Sequence, residues 1–173
     1  MIDKNKIAQD MKAAFPENEG AGLGIYIIEI ERFKEILERT PCFSQKVFSQ
    51  AELKDCKKFA NAHTHLACRF AAKEAVLKAL GTGFFAGVKP TDIEVSKNRF
   101  DKPYPILRGV AKDIAEEQGI VNFPLSLSFT HSEAVACAMA IKKVHQPIKQ
   151  AKEDQMAELN KEFKEAKNFL DEI

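Results

Sequence analysis

The stretch Arg69-Phe70-Ala71-Ala72-Lys73-Glu74-Ala75-Val76-Leu77-Lys78-Ala79-Leu80, followed by Gly81-Thr82-Gly83, constrains this chain more than any other. Alanine, leucine and lysine are strong helix formers, and Gly81 is placed to end the helix in the left-handed conformation. The spacing predicts a helix over roughly residues 64–80. One acid and several bases fall within two turns of an otherwise small, apolar helix. Glu74 and Lys78 are four residues apart and share a face, and Arg69 and Lys73 form a second such pair on an adjacent stripe. A carboxylate that can hold a hard cation, beside two or three cationic side chains, is the set needed to grip a polyphosphate. The plainer alternative is a solvated face with ordinary ion pairs, which are common and individually weak.

The 173 residues suffice for one domain with a real core, or for one domain and a tail. A formal net charge of +1 gives no basic field to argue for nucleic acid. The hydrophobic fraction of 45% is ordinary for a globular protein, and no apolar run reaches a membrane span. The start, Met1-Ile2-Asp3-Lys4-Asn5-Lys6, lacks the apolar core of a secretion signal. Cys42, Cys56, Cys68 and Cys137 show no paired spacing and read as reduced thilos of a cytoplasmic protein. His63-x-His65-x-x-Cys68 has no fourth ligand nearby and is a poor zinc site.

Along the chain, the pattern predicts a short helix over residues 3–15, ended by Pro16. A strand follows at Gly22–Ile28, and then a helix with Ile30, Phe33, Ile36 and Leu37 on one face, ended by Thr40-Pro41. Phe43 to Val47 carries no clear period. Ser49-Gln50-Ala51-Glu52 is a capping box and starts a helix expected to reach about Ala60. Further strands are expected at Asp92–Ser96, Ile106-Leu107, Leu125–Phe129 and Ala134–Ile141, with a turn over Asn98–Pro105 and a helix over 109–118. From Gln146 the composition shifts to a charged, amphipathic helical tail. Cys137 reads as a small core residue.

Three stretches in order now carry a resemblance: Gly22-x-Gly24-x-Tyr26-x-x-Glu29-x-x-Arg32, then Arg69 to Gly83, then Ser126-x-Ser128. Over roughly residues 22–142 the chain resembles the small bacterial holo-acyl-carrier-protein synthases of the 4′-phosphopantetheinyl transferase superfamily. The resemblance implies an α+β fold, a curved antiparallel sheet packed with helices. It divides the chain into an N-terminal helical extension (1–21), a transferase domain (22–145) and a tail (146–173). The implied reaction moves the phosphopantetheine arm of coenzyme A onto a serine of acyl carrier protein, with Mg²⁺ at the pyrophosphate, in fatty acid biosynthesis. Glu74 is then the metal ligand and a group that helps activate the serine, and Lys78 holds phosphate oxygens. Arg69 and Lys73 support the coenzyme A phosphates, and Gly81, Thr82 and Gly83 let backbone approach the nucleotide. Pro103 matches a family turn, with Asp101 where a glycine is usual. Arg32 and Arg39 align with arginines that meet the acidic carrier protein. Family members are homotrimers with sites between subunits.

Two positions depart from the pattern. Tyr26 stands where the family has an aspartate ligand, and a neutral phenol is a poor substitute at a hard cation. Glu29 matches a family glutamate, but strand alternation puts it on the opposite face from Tyr26. Phe129 stands where many members have a histidine; either His131, two residues on and expected on the same strand face, is a substitute contact to coenzyme A, or Phe129 is a variant that packs beside the adenine or the core. An active transferase with a weakened metal site is therefore set against a relative that binds coenzyme A or acyl carrier protein without transfer.

Overall fold

The computed structural model describes residues 21–83 and 87–143. The expected helix over 3–15 and the tail from residue 146 lie outside the described residues. The chain opens with β1 (Ala21–Glu29), α1 (Ile30–Arg39), α2 (Pro41–Val47), α3 (Gln50–Cys56) and α4 (Ala62–Leu80). A 3-10 turn at Pro90–Asp92 leads to β2 (Ile93–Lys97), β3 (Pro103–Leu107), α5 (Gly109–Glu117), β4 (Ile120–Asn122), β5 (Leu125–Phe129) and β6 (Glu133–Lys142). The larger sheet is antiparallel, with β6 at its centre between β1 on one side and β4 and β5 on the other. β2 and β3 form a separate antiparallel hairpin.

The long helix α4 lies across the inner face of the larger sheet. Its contact side is Ala71, Ala72, Ala75 and Ala79, and the sheet answers with Ala136, Ala138 and Ala140, all buried. Small residues on both sides bring helix and strands close. Closest of all is β1: a Cβ added to Gly22 or Gly24 would collide with the carbonyls of Ala79 or Ala75. The two glycines of the Gly22-x-Gly24 motif are therefore the floor on which α4 rests. The rest of β1 alternates, with Tyr26 and Ile28 turned to the helix and Leu23, Ile25 and Ile27 turned to solvent. A second core joins Phe33 of α1, Phe48, Ala67 and Cys68, with Phe43 and Phe70 packed against it.

The local signals explain most boundaries. Ser49 and Glu52 form the expected capping box, the Glu52 carboxylate accepting from Ser49 N–H at 2.8 Å. Gly81 ends α4 at φ 72°. Several expectations are corrected. The unassigned Phe43–Val47 segment is helical, because Pro41 occupies the first helical turn, where its fixed φ costs nothing. α3 stops at Cys56, short of Ala60. Pro103 and Pro105 lie inside a strand and not in a turn. They sit at alternate positions, so both missing donors face away from β2 and leave Tyr104 and Ile106 for the ladder. The short β4 has too few residues to show a period. Cys137 pairs with Ile25 on the outer side of the sheet and is only partly buried.

Candidate active site

Helical periodicity places Phe70, Glu74 and Lys78 in one row along α4. The inward alternation of β1 places Tyr26 against that row. The Tyr26 and Phe70 rings meet edge to face, with centroids 6.0 Å apart. The Lys78 ammonium stands 5.1 Å from the Tyr26 ring centroid and donates to the Ile25 carbonyl at 2.9 Å. Neither Glu74 nor Lys78 has an ion-pair partner within 4.0 Å among the described residues. Glu74 is half-buried, and burial pushes its carboxyl up, with Lys78 pulling the other way. Burial likewise raises the Tyr26 phenol, the Glu74 charge adds to this, and Arg32 on α1 opposes it. Tyr26 is therefore protonated at neutral pH. One carboxylate, one neutral phenol and two cations share this corner of the molecule.

Other expected residues lie elsewhere. Lys73 is a correction: it is wholly buried and cannot reach a phosphate at the surface. Its ammonium pairs with Glu52 at 2.9 Å and donates to the Pro90 and Ile93 carbonyls. Adjacent helix positions point about 100° apart, so Glu74 can face β1 while Lys73 faces α3 and β2. Arg69 is buried too, paired with Asp55, with its Nε lacking a partner among the described residues. Glu52 and Asp55 were not foreseen as partners, although the capping box marked where Glu52 would sit.

Gly81 and Gly83 both take positive φ, at 72° and 55°, and between them Thr82 is buried, its hydroxyl without a partner among the described residues. Arg39 is exposed and pairs loosely with Glu35 at 3.7 Å, and Arg32 is exposed near Tyr26. Pro103 begins β3, paired with Lys97. For His131 the expected strand position is corrected. β5 ends at Phe129, and His131 is exposed in the turn to β6, so strand alternation does not carry it onto the Phe129 face. Phe129 is 54% exposed and meets His65 edge to face at 6.1 Å, and His65 stacks on Phe59 at 3.9 Å. Glu29 ends β1 exposed on the side away from Tyr26, as alternation requires.

Among the described residues no group of three or more His, Cys, Asp or Glu is placed to hold a metal. Of His63, His65 and Cys68, the last is buried in the second core. For Mg²⁺ the donor set is narrower than the pattern requires but not incompatible. Glu74 is a partly desolvated carboxylate without an ion-pair partner among the described residues, and Mg²⁺ needs only one or two carboxylates beside phosphate oxygens and water.

Residues 22–139 match the 4′-phosphopantetheinyl transferase superfamily. The holo-[acyl-carrier-protein] synthase of Caldanaerobacter subterraneus is 43% identical over 119 residues, covering 69% of this chain and 93% of that protein. The protein of the same name from Caldicellulosiruptor saccharolyticus is 45% identical over 121 residues, covering 70% and 96%. Among solved structures, the holo-ACP-synthase from Plasmodium yoelii superposes with a TM-score of 0.63 at 32% identity, covering 72% of this chain and 99% of that one. A holo-(acyl-carrier-protein) synthase from Bacillus anthracis, in complex with CoA (3′,5′-ADP), gives a TM-score of 0.59 at 31% identity, covering 70% and 96%. No helix among the described residues is long and apolar enough to cross a membrane.

Proposed function

The chain belongs to the 4′-phosphopantetheinyl transferase superfamily, and from that premise we propose how its own residues serve the reaction. It is a holo-[acyl-carrier-protein] synthase, transferring the phosphopantetheine arm of coenzyme A to a serine of acyl carrier protein. The serine oxygen forms a new bond to phosphorus, and the pyrophosphate bond breaks to release adenosine 3′,5′-bisphosphate. Catalysis of this kind is mostly positioning and charge stabilisation. The observation that carries the site is the row Glu74–Lys78 facing Tyr26, just before the Gly81-Thr82-Gly83 turn.

Glu74, with its carboxyl raised by burial, is suited to take the serine proton. Lys78 needs only to leave the Ile25 carbonyl to meet a phosphate oxygen. The two left-handed glycines bring backbone N–H groups within reach of the nucleotide. Mg²⁺, when bound, would neutralise charge on the pyrophosphate, with Glu74 as its protein ligand and Tyr26 beside it as a neutral neighbour. Arg32, exposed at the rim, and Arg39 at the far end of α1 are the surface offered to the acidic carrier protein.

The functional form is proposed to be a homotrimer. Support comes from the outer side of the larger sheet, where Leu23, Ile25, Ile27 and Met139 are exposed together. An apolar sheet face of this kind calls for a cover. The compartment is proposed to be the cytoplasm, in keeping with the four free thiols. A second reading, binding without transfer, rests on the two departures at Tyr26 and Phe129. Incubation with coenzyme A, Mg²⁺ and an apo acyl carrier protein separates the two: transfer adds the arm to the carrier protein's mass, and binding alone adds nothing.

A further inference from the structure

Lys73 and Glu52 form an ion pair whose side chains are each 1% exposed. All three ammonium protons are used, toward Glu52, Pro90 and Ile93. The carboxylate is equally occupied: Oε1 accepts from Val95 N–H at 2.9 Å and Oε2 from Ser49 N–H at 2.8 Å. The Phe48 ring closes the cluster, 5.5 Å from Nζ. The cap of α3, the turn before β2, β2 itself and α4 thus meet at two side chains.

A pair this deep is an inefficient stabiliser. Desolvation offsets its attraction, and an apolar pair of similar volume is often as stable. What an apolar pair lacks is direction: an ammonium must point at acceptors that are fixed in place. Lys73 immediately precedes Glu74, so any roll of α4 that moves one moves the other. On another side of the helix, Gly22 and Gly24 fix its distance from β1 but present no side chain to resist rotation.

We propose that the Glu52–Lys73 pair is a positioning device for the transfer reaction, setting the roll of α4 so that Glu74 faces Tyr26 and the substrate. Both are positioning residues, touching neither coenzyme A nor the carrier protein. The proposal rests on the reading of Glu74 as a group of the site.

The test uses the full chain and the double variant Lys73→Met/Glu52→Gln, which removes both charges at similar volume and leaves an oxygen for Val95 or Ser49. Circular dichroism and thermal melting report the fold, and steady-state transfer separates kcat from KM for coenzyme A. A cooperative fold is expected, with KM within about threefold and kcat down about 10- to 100-fold, the effect of a misplaced reacting group. An unchanged kcat in the folded double variant, or a rise in KM alone, overturns the proposal. If the double variant does not fold, Glu52→Gln alone carries the same expectation and the same contradiction. A crystal structure of whichever variant folds should show the Glu74 carboxyl displaced, and an unmoved Glu74 overturns the proposal whether or not the wild type transfers. Wild-type protein that transfers nothing would instead overturn the functional reading.

Discussion

Lys78 holds its ammonium 5.1 Å from the centre of the Tyr26 ring while donating to the carbonyl of the preceding residue, Ile25. An aspartate at position 26 would draw that ammonium into an ion pair. The phenol offers only a π face, worth about 0.5–1 kcal/mol at a partly exposed site. Tyr26 therefore leaves Lys78 loosely held and leaves Glu74 as the one carboxylate of the row.

Tyr26→Asp should tighten Mg²⁺ binding, measured by titration calorimetry in the presence of coenzyme A, and raise the transfer rate. The substitution returns a second carboxylate beside Glu74, within what Mg²⁺ uses. If Tyr26 is instead a packing residue of a metal-poor site, the aspartate becomes an unpaired charge and lowers stability by several kcal/mol. A lower melting temperature with no gain in Mg²⁺ affinity would contradict the account.

Glu74→Gln should cost activity and gain stability. Burial raises the folded-state pKa of Glu74 above the unfolded value. For a raised acid, the unfolded chain releases the proton first, so ionisation favours unfolding as pH rises through and above the ordinary carboxyl range. The glutamine escapes this penalty. Its melting temperature should exceed the wild type's at pH 7. The difference should shrink toward pH 4, and a difference independent of pH would contradict it.

Gly24→Ala should destabilise the fold by at least about 2 kcal/mol, because its Cβ meets the Ala75 carbonyl and α4 must lift from β1. Chemical denaturation measures the loss. Wild-type stability in this variant would mean that the helix does not rest on the strand as described.

These cases mark what was legible beforehand. α4, its left-handed Gly81 stop and the Ser49–Glu52 cap could be read because helix periodicity and capping are local. That Tyr26 and Glu29 lie on opposite faces followed from strand alternation; that Tyr26 is the inward one shows only in the packing of α4 on β1. Lys73 was misread because helical spacing gives its stripe but not what packs there; Glu52 is 21 positions away and Ile93 is 20. His131 was misplaced because nothing local says that β5 ends at Phe129. The prolines of β3 looked like a turn because an edge strand shows in its pairing and not in its composition.

Ile25→Glu should break the proposed homotrimer. Ile25 is 52% exposed in the middle of the apolar outer sheet face, and a carboxylate there would be buried unpaired between subunits. Light scattering should find wild-type trimers at micromolar concentration and smaller species for the variant. A monomeric wild type would contradict the assembly.

The most direct test of the central claim is mass spectrometry of an apo acyl carrier protein incubated with coenzyme A, Mg²⁺ and this protein. The carrier protein should gain the phosphopantetheine mass with wild type. With Lys78→Ala the rate should fall roughly 10- to 150-fold, the loss of one charged contact of about 1.5–3 kcal/mol. No mass gain with wild type, or full activity in Lys78→Ala, would contradict the account.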